Sequence, residues 1–161
     1  MAITKVPRSV VVVLGAAAAA AVVYVLWGVD RGEPAGHRLR PDDATLVALG
    51  QRVYREHCAA CHGMRLEGQA NWRERGPDGK LPAPPHDASG HTWHHTDELL
   101  FQIAKHGVAK AAKLTDYATA MPVYEGVLSD EEIVAVLSWI KSQWPAHIRS
   151  RHDELNRSAA R

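Results

Sequence analysis

The chain has 161 residues, which is enough for one domain with extensions. Its 19 lysine and arginine residues nearly balance its 18 aspartate and glutamate residues, so the formal net charge at pH 7 is +1. This balance supplies no general positive field, and we expect no nucleic-acid partner.

The first predicted element is a membrane-spanning helix over residues 9–29. This segment contains no charged residue, and about 21 residues at about 1.5 Å each give about 31 Å, close to the hydrocarbon thickness of a bilayer. A secretory signal is the alternative, because Ala16 to Ala21 resemble the small-residue end of one. We favour an uncleaved anchor, because cleavage there would leave apolar residues 22–27 exposed.

The charges around this segment predict its orientation. Lys5 and Arg8 precede the segment, whereas the charges that follow it nearly cancel. The positive-inside rule therefore places residues 1–8 in the cytoplasm. The chain from about residue 30 onward then lies at the periplasmic face of the cytoplasmic membrane. Residues 30–41 are rich in Gly and Pro and are predicted to be a linker to a domain at residues 42–145.

Two helices are predicted in the first two thirds of the domain. Asp42 or Asp43 can cap a helix that runs to about His57, with apolar residues at helical spacing on one side. Thr96 can cap a second helix that runs to about Lys105. Residues 63–95 lie between them and are rich in Gly and Pro, so we predict a long ordered loop there.

The last predicted helix has the clearest boundaries. Ser129 and Glu132 have the spacing of a capping box, and Pro145 should end the helix. Residues 146–161 are polar and are predicted to be a mobile tail, with only a weak tendency towards helix. Three short helices make a small core, so a buried cofactor is expected to supply the missing apolar volume.

The sequence Cys58-Ala59-Ala60-Cys61-His62 predicts covalent attachment of haem c. Each thiol would form a thioether with a haem vinyl group, and His62 would bind the iron. The alternatives are a structural cysteine pair, a thioredoxin-like redox pair or half of a zinc site. A thioredoxin-like pair would need a βαβ context, and zinc would need a second pair of ligands, neither of which the sequence provides.

Residues 43–144 resemble class I cytochromes c. In that family a glycine lies eight residues before the first cysteine and an aromatic residue follows four positions later, packed against an aromatic residue of the C-terminal helix. Gly50, Tyr54 and Trp139 match this pattern. The resemblance implies an all-α class I cytochrome c fold around one haem, and one-electron transfer rather than enzymatic catalysis, alone or as a subunit of a larger oxidoreductase.

The second axial ligand of the iron is predicted to be Met121. Of the three methionines, Met1 precedes the predicted anchor and Met64 lies too close to His62 to reach the opposite face. Met121 stands in a Met-Pro pair before the last helix, as in the family. A thioether ligand raises the reduction potential relative to a second imidazole. The rival ligands are four histidines: His91, His94, His95 and His106.

The loop from Pro84 to His95 contains four histidines and allows two interpretations. It could bind copper through imidazoles, or it could simply cover an edge of the haem. We favour the second, because no spacing there fixes a coordination geometry. In the family a proline carbonyl orients the iron-binding histidine, and Pro84 or Pro85 could provide it. Trp93 and Trp72 are candidate donors to a haem propionate.

The expected partners are redox proteins that visit or belong to the membrane. Lys105, Lys110 and Lys113 precede Met121 and could surround an exposed haem edge, in which case the partner would carry an acidic patch. Two other functions remain open. One is a gas sensor or haem enzyme with a labile sixth ligand, and the other is a copper-handling domain that uses the loop from His86 to His95.

Overall fold

Six α-helices and one 3-10 helix lie within residues 37–161, the part of the chain that the computed structural model describes. No strand occurs in that range, so the prediction of an all-α fold is confirmed. The elements are α1 (Ala44–His57), α2 (Ala59–His62), a 3-10 helix (Thr92–His94), α3 (Asp97–His106), α4 (Val108–Ala111), α5 (Asp130–Ser142) and α6 (Ala146–Ala159).

The predicted N-terminal segments fall mostly outside this range. The cytoplasmic residues 1–8, the anchor at residues 9–29 and residues 30–36 of the linker lie outside the described residues. Between residue 37 and the C-terminus, no helix combines the length and the apolar character that crossing a bilayer requires.

The predicted caps begin helices α1, α3 and α5. Asp43 and Thr96 each accept a hydrogen bond from the backbone N–H three residues on, at 3.1 Å and 3.2 Å. At the start of α5, the Ser129 hydroxyl accepts from the Glu132 N–H, and the Glu132 carboxylate accepts from the Ser129 N–H. These side chains satisfy backbone donors that the first turn of a helix leaves free, and the three predicted helix starts are confirmed.

Helices α1 and α5 cross in close contact at Gly50. A Cβ atom built on Gly50 would overlap the carbonyl group of Ala135. One turn further along, the rings of Tyr54 and Trp139 lie 4.5 Å apart at an angle of 42° and fill the crossing. The glycine therefore lets two helix backbones approach more closely than any side chain would allow.

The end of the predicted linker lies on the domain. The His37 ring stacks on the Phe101 ring at 3.2 Å and 3°. Leu39 is buried, and its N–H donates to the Asp97 carboxylate at 3.0 Å. Residues 37–41 thus form part of the domain, which was predicted to begin at residue 42, because an apolar side chain and a backbone donor both find partners there.

The prediction of a mobile tail at residues 146–161 is wrong. Helix α6 occupies most of this segment and buries Ile148 and His152. The His152 ring has no exposed surface, its Nε2 lies 2.9 Å from the carbonyl oxygen of His95, and its edge meets the Trp144 ring at 5.1 Å. The helix packs through a histidine, which hydrophobic periodicity does not detect.

Polar contacts complete the attachment of α6. The Asp97 N–H donates to the Asn156 side-chain oxygen at 2.8 Å, and the Asn156 amide donates to the Asp97 carboxylate at 3.2 Å. The Lys141 ammonium group donates to Asp153 at 2.6 Å. Buried polar groups are tolerated when they pair with one another in this way, so a hydrophilic segment can still dock on the domain.

Replacing Gly50 with Ala should lower the free energy of unfolding by about 2 kcal/mol, because the added methyl group overlaps the Ala135 carbonyl. In an uncrowded helix the same change would instead stabilise by about 1 kcal/mol. Thermal unfolding followed by circular dichroism measures the difference. Gly76→Ala is the control, because its methyl group would meet the end of the Asp78 side chain at 3.2 Å and the Lys80 carbonyl oxygen at an ordinary contact distance of 3.7 Å, without overlap of backbone atoms. A Gly50→Ala protein as stable as the parent would contradict the close crossing.

Replacing His152 with Ala should lower the free energy of unfolding by about 3 kcal/mol, since it leaves a cavity and an unpaired His95 carbonyl. Urea unfolding measures this change. Glu154→Ala alters an exposed position of the same helix and should have little effect. Equal stability of the two variants would show that α6 does not dock as described.

Candidate functional site

The motif Cys58-Ala59-Ala60-Cys61-His62 forms the junction between α1 and α2. Cys58 ends α1 and begins α2. The N–H of Cys61 donates to the carbonyl oxygen of Cys58 at 3.1 Å. Cys58 is half-buried, Cys61 is exposed and His62 is buried at the end of α2. The turn therefore presents two thiols and an imidazole from five consecutive residues.

His62 is oriented by a backbone carbonyl of the following loop. Its Nδ1 lies 2.8 Å from the carbonyl oxygen of Pro84. A carbonyl only accepts, so Nδ1 carries the proton and Nε2 keeps its lone pair free for a metal. Burial lowers the pKa of His62, and the hydrogen bond that its Nδ1 donates to the Pro84 carbonyl opposes this effect. Burial thus favours the neutral imidazole that metal binding requires.

The loop that carries Pro84 is fixed by backbone contacts to the turn after the motif. Leu66 is buried in a left-handed conformation with φ of 68°. Its carbonyl oxygen accepts from the N–H groups of His86 and Asp87, at 2.8 Å and 3.3 Å. Gly68 packs so tightly that a Cβ atom there would overlap Pro85. These contacts determine that Pro84, and not Pro85, faces His62.

His86 packs directly against His62, a contact that the sequence did not predict. The two rings stack with centroids 4.0 Å apart and an angle of 23°. Nδ1 of His86 shares a hydrogen bond of 2.7 Å with the Thr92 hydroxyl, and the Trp144 indole N–H donates to the His86 carbonyl at 2.7 Å. Burial and the neighbouring His62 hold the pKa of His86 well below its usual value.

Tyr124 joins the segment around Met121 to the motif and was also not predicted. Its hydroxyl donates to the carbonyl oxygen of His57 at 2.6 Å. Burial raises the pKa of Tyr124 to about 12 and that of Cys58 to about 11. An aromatic residue three positions after Met121 was the signal that could have revealed this contact.

Met121 lies in the irregular segment between α4 and α5. The residue is partly buried, and its N–H donates to the Thr119 hydroxyl at 3.1 Å. The neighbouring Tyr124 also donates its N–H to the Ala104 carbonyl at 3.2 Å, which fixes the segment against α3. The chain beyond Met121 is therefore held at two points by Tyr124.

Trp93 presents a buried polar group that lacks a partner within residues 37–161. Its Nε1 is buried and, among the described residues, makes no hydrogen bond. Its ring stacks on His94 at 3.8 Å, and the Arg151 guanidinium lies 5.2 Å from the ring centroid. A buried unpaired N–H costs about 1–3 kcal/mol. This orphaned donor fits a bound group that offers an acceptor, such as a carboxylate.

Trp72 stacks on one histidine of the loop, and that histidine contacts another. The Trp72 and His91 rings stack at 5.2 Å and 11°, and the His91 and His95 rings meet edge to face at 5.3 Å. Within residues 37–161, no three His, Cys, Asp or Glu side chains are grouped to hold a metal ion. The geometry thus gives the copper interpretation of this loop no ligand set.

The three predicted docking lysines differ in their surroundings. The Lys105 ammonium group donates to the Asp130 carboxylate at 2.7 Å and lies 5.5 Å from the centroid of the Phe101 ring. Lys110 belongs to α4, and Lys113 follows it with φ of 52°. Apolar side chains are also exposed on the domain, namely Met64, Leu114, Val123 and Val127.

The chain matches a protein-family model described as "Cytochrome C oxidase, cbb3-type, subunit III". The match covers residues 45–140, from the first turn of α1 almost to the end of α5. It therefore spans Cys58, Cys61, His62, Pro84 and Met121, and ends before α6. No curated protein and no solved structure matches the chain.

Proposed function

The chain belongs to the family described as cytochrome c oxidase, cbb3-type, subunit III, and we propose that it is a membrane-anchored carrier of single electrons. Membership of this cytochrome c family implies a covalently bound c-type haem, haem-based electron transfer, and redox partners or a larger oxidase complex. The haem, when bound, supplies an iron that accepts one electron in its ferric state and releases it from its ferrous state.

Cys58 and Cys61 attach the haem in this proposal, and His62 binds the iron. The chain contains only these two cysteines, so covalent attachment through two thioethers requires both. The observation that carries the proposal is the hydrogen bond between Nδ1 of His62 and the Pro84 carbonyl. It leaves Nε2 free, and an orienting partner of this kind is typical of metal-binding histidines.

Met121 is the proposed ligand on the opposite face of the iron. Met64 is 62% exposed and only two residues from His62, so it is a poor alternative. Tyr124 holds the segment after Met121 to the end of α1, which carries the cysteines. A thioether ligand stabilises ferrous iron and closes the sixth position, as electron transfer without substrate binding requires.

The indole N–H of Trp93 is proposed to donate to a haem propionate. This role would satisfy the one buried side-chain donor that lacks a partner in the described part of the chain. Trp72 is a second candidate donor, and its stacking on His91 places it beside the same loop.

The proposed location is the outer face of the cytoplasmic membrane. Residues 9–29 carry no charge and have the length of a single span, and Lys5 and Arg8 precede them. The partners would then be membrane-associated redox proteins, including other subunits of an oxidase. Because Lys105 is paired with Asp130, Lys110 and Lys113 are the better candidates for contacts with an acidic patch on such a partner.

Replacing Met121 with Ala should abolish the charge-transfer band between methionine sulfur and ferric iron and lower the reduction potential, because water or a stronger base replaces the thioether. Absorption spectra of the oxidised and reduced protein measure the band, and a redox titration measures the potential. Met64→Ala is the matched control and should keep both. Unchanged spectra of Met121→Ala would overturn the assignment of Met121 as the ligand. Carbon monoxide binding to the reduced parent at neutral pH would favour an open or labile sixth position instead.

The mature haem protein should remain in the membrane fraction after an alkaline wash and should retain residues 9–29. An integral helix resists such a wash, whereas a protein bound by charge alone is released. Immunoblotting of the fractions and mass spectrometry of the N-terminus measure both properties. A soluble haem protein that lacks residues 1–29 would show that the segment is a cleaved signal.

A further inference from the structure

We propose that His86 is a positioning residue for His62: its ring, stacked on the His62 ring, fixes the plane of the imidazole that binds the iron. This inference rests on the proposed function, because it assumes that His62 is the ligand. It adds a second constraint to the hydrogen bond that His62 donates to Pro84, and it assigns a role to a histidine of the loop that was a candidate for copper binding.

The hydrogen bond to Pro84 constrains His62 incompletely. A single bond at Nδ1 sets the direction in which that nitrogen points, but it allows the ring to tilt about the bond axis. A flat ring against the face of the imidazole opposes this tilt. The His86 ring has that position, with centroids 4.0 Å apart and only 23° between the planes.

His86 is itself held at three points, so it can act as a fixed support. Its N–H donates to the Leu66 carbonyl at 2.8 Å, and its own carbonyl accepts from the Trp144 indole at 2.7 Å. Its side chain is held separately, since Nδ1 lies 2.7 Å from the hydroxyl oxygen of the buried Thr92. The backbone bonds locate the residue, and the bond to Thr92 sets the rotation of its ring.

The residue type fits both requirements of such a support. The ring must be flat to stack on an imidazole, and it needs a polar edge to reach the Thr92 hydroxyl. Leucine would fill the volume without a flat face. Phenylalanine would keep the flat face without the polar edge. Histidine provides both, and burial keeps it neutral beside His62.

Electron paramagnetic resonance of the ferric protein is the sensitive readout, because the orientation of the axial imidazole sets the splitting of the iron d orbitals and hence the g values. His86→Leu should broaden the low-spin signal and shift its largest g value, since the His62 ring can then adopt a range of tilts. His86→Phe should keep a narrow signal closer to that of the parent, because the stacked face remains.

Two further variants make the test specific. Thr92→Val is nearly isosteric and removes only the hydrogen bond to the His86 ring, so it should shift the g value in the same direction as His86→Leu but by less. It also keeps the test decisive if His86→Leu fails to fold. Ala88→Leu is the control, because Ala88 is an exposed position of the same loop, and its signal should match the parent.

The outcomes distinguish the two proposals. A parent protein without a low-spin signal from histidine and methionine would overturn the proposed function and the role of His86 with it. A parent with that signal, whose shape is unchanged in both His86→Leu and Thr92→Val, would overturn the role of His86 alone. Equal shifts in His86→Leu and Ala88→Leu would also overturn it, because they would reflect general disturbance of the loop.

Discussion

The hydrogen bond between Nδ1 of His62 and the carbonyl oxygen of Pro84 is the constraint on which the site depends. It determines the tautomer of the imidazole and therefore which nitrogen is free to bind iron. It also joins two segments that are 22 residues apart in the chain. The intervening loop has little regular structure, so its path is fixed by contacts such as the bonds to the Leu66 carbonyl and the close approach of Gly68.

The packing of helix α1 is the second constraint on the site. Helix α1 ends at the motif, so its position determines where the thiols lie. The crossing of α1 and α5 at Gly50 sets that position, since no side chain separates the two backbones. The Tyr124 hydroxyl then holds the carbonyl of His57 at the end of α1. The cysteines are therefore fixed by helix packing, whereas the imidazole is fixed by the loop.

Features that depend on residues close in the chain were predictable from the sequence. The capping box of α5 and the five-residue motif are of this kind, and each is defined by spacing alone. The choice of Pro84 over Pro85 and the stacking of His86 depend on long-range contacts that spacing does not contain. Helix α6 was missed for a different reason: it buries His152, and apolar periodicity is blind to a helix that packs through paired polar groups.

Helix α6 connects the site to the rest of the domain. Trp144, just before this helix, donates to the carbonyl of His86, and its ring contacts the edge of His152 at 5.1 Å. His152 lies 3.5 Å from the Asp97 carboxylate, which also binds the N–H of Leu39, where the chain enters the domain. Both Trp144 and His152 lie beyond residue 140, where the family match ends. One of the three contacts that hold His86, the hydrogen bond from Trp144, is thus supplied by a part of this chain that the family model does not cover.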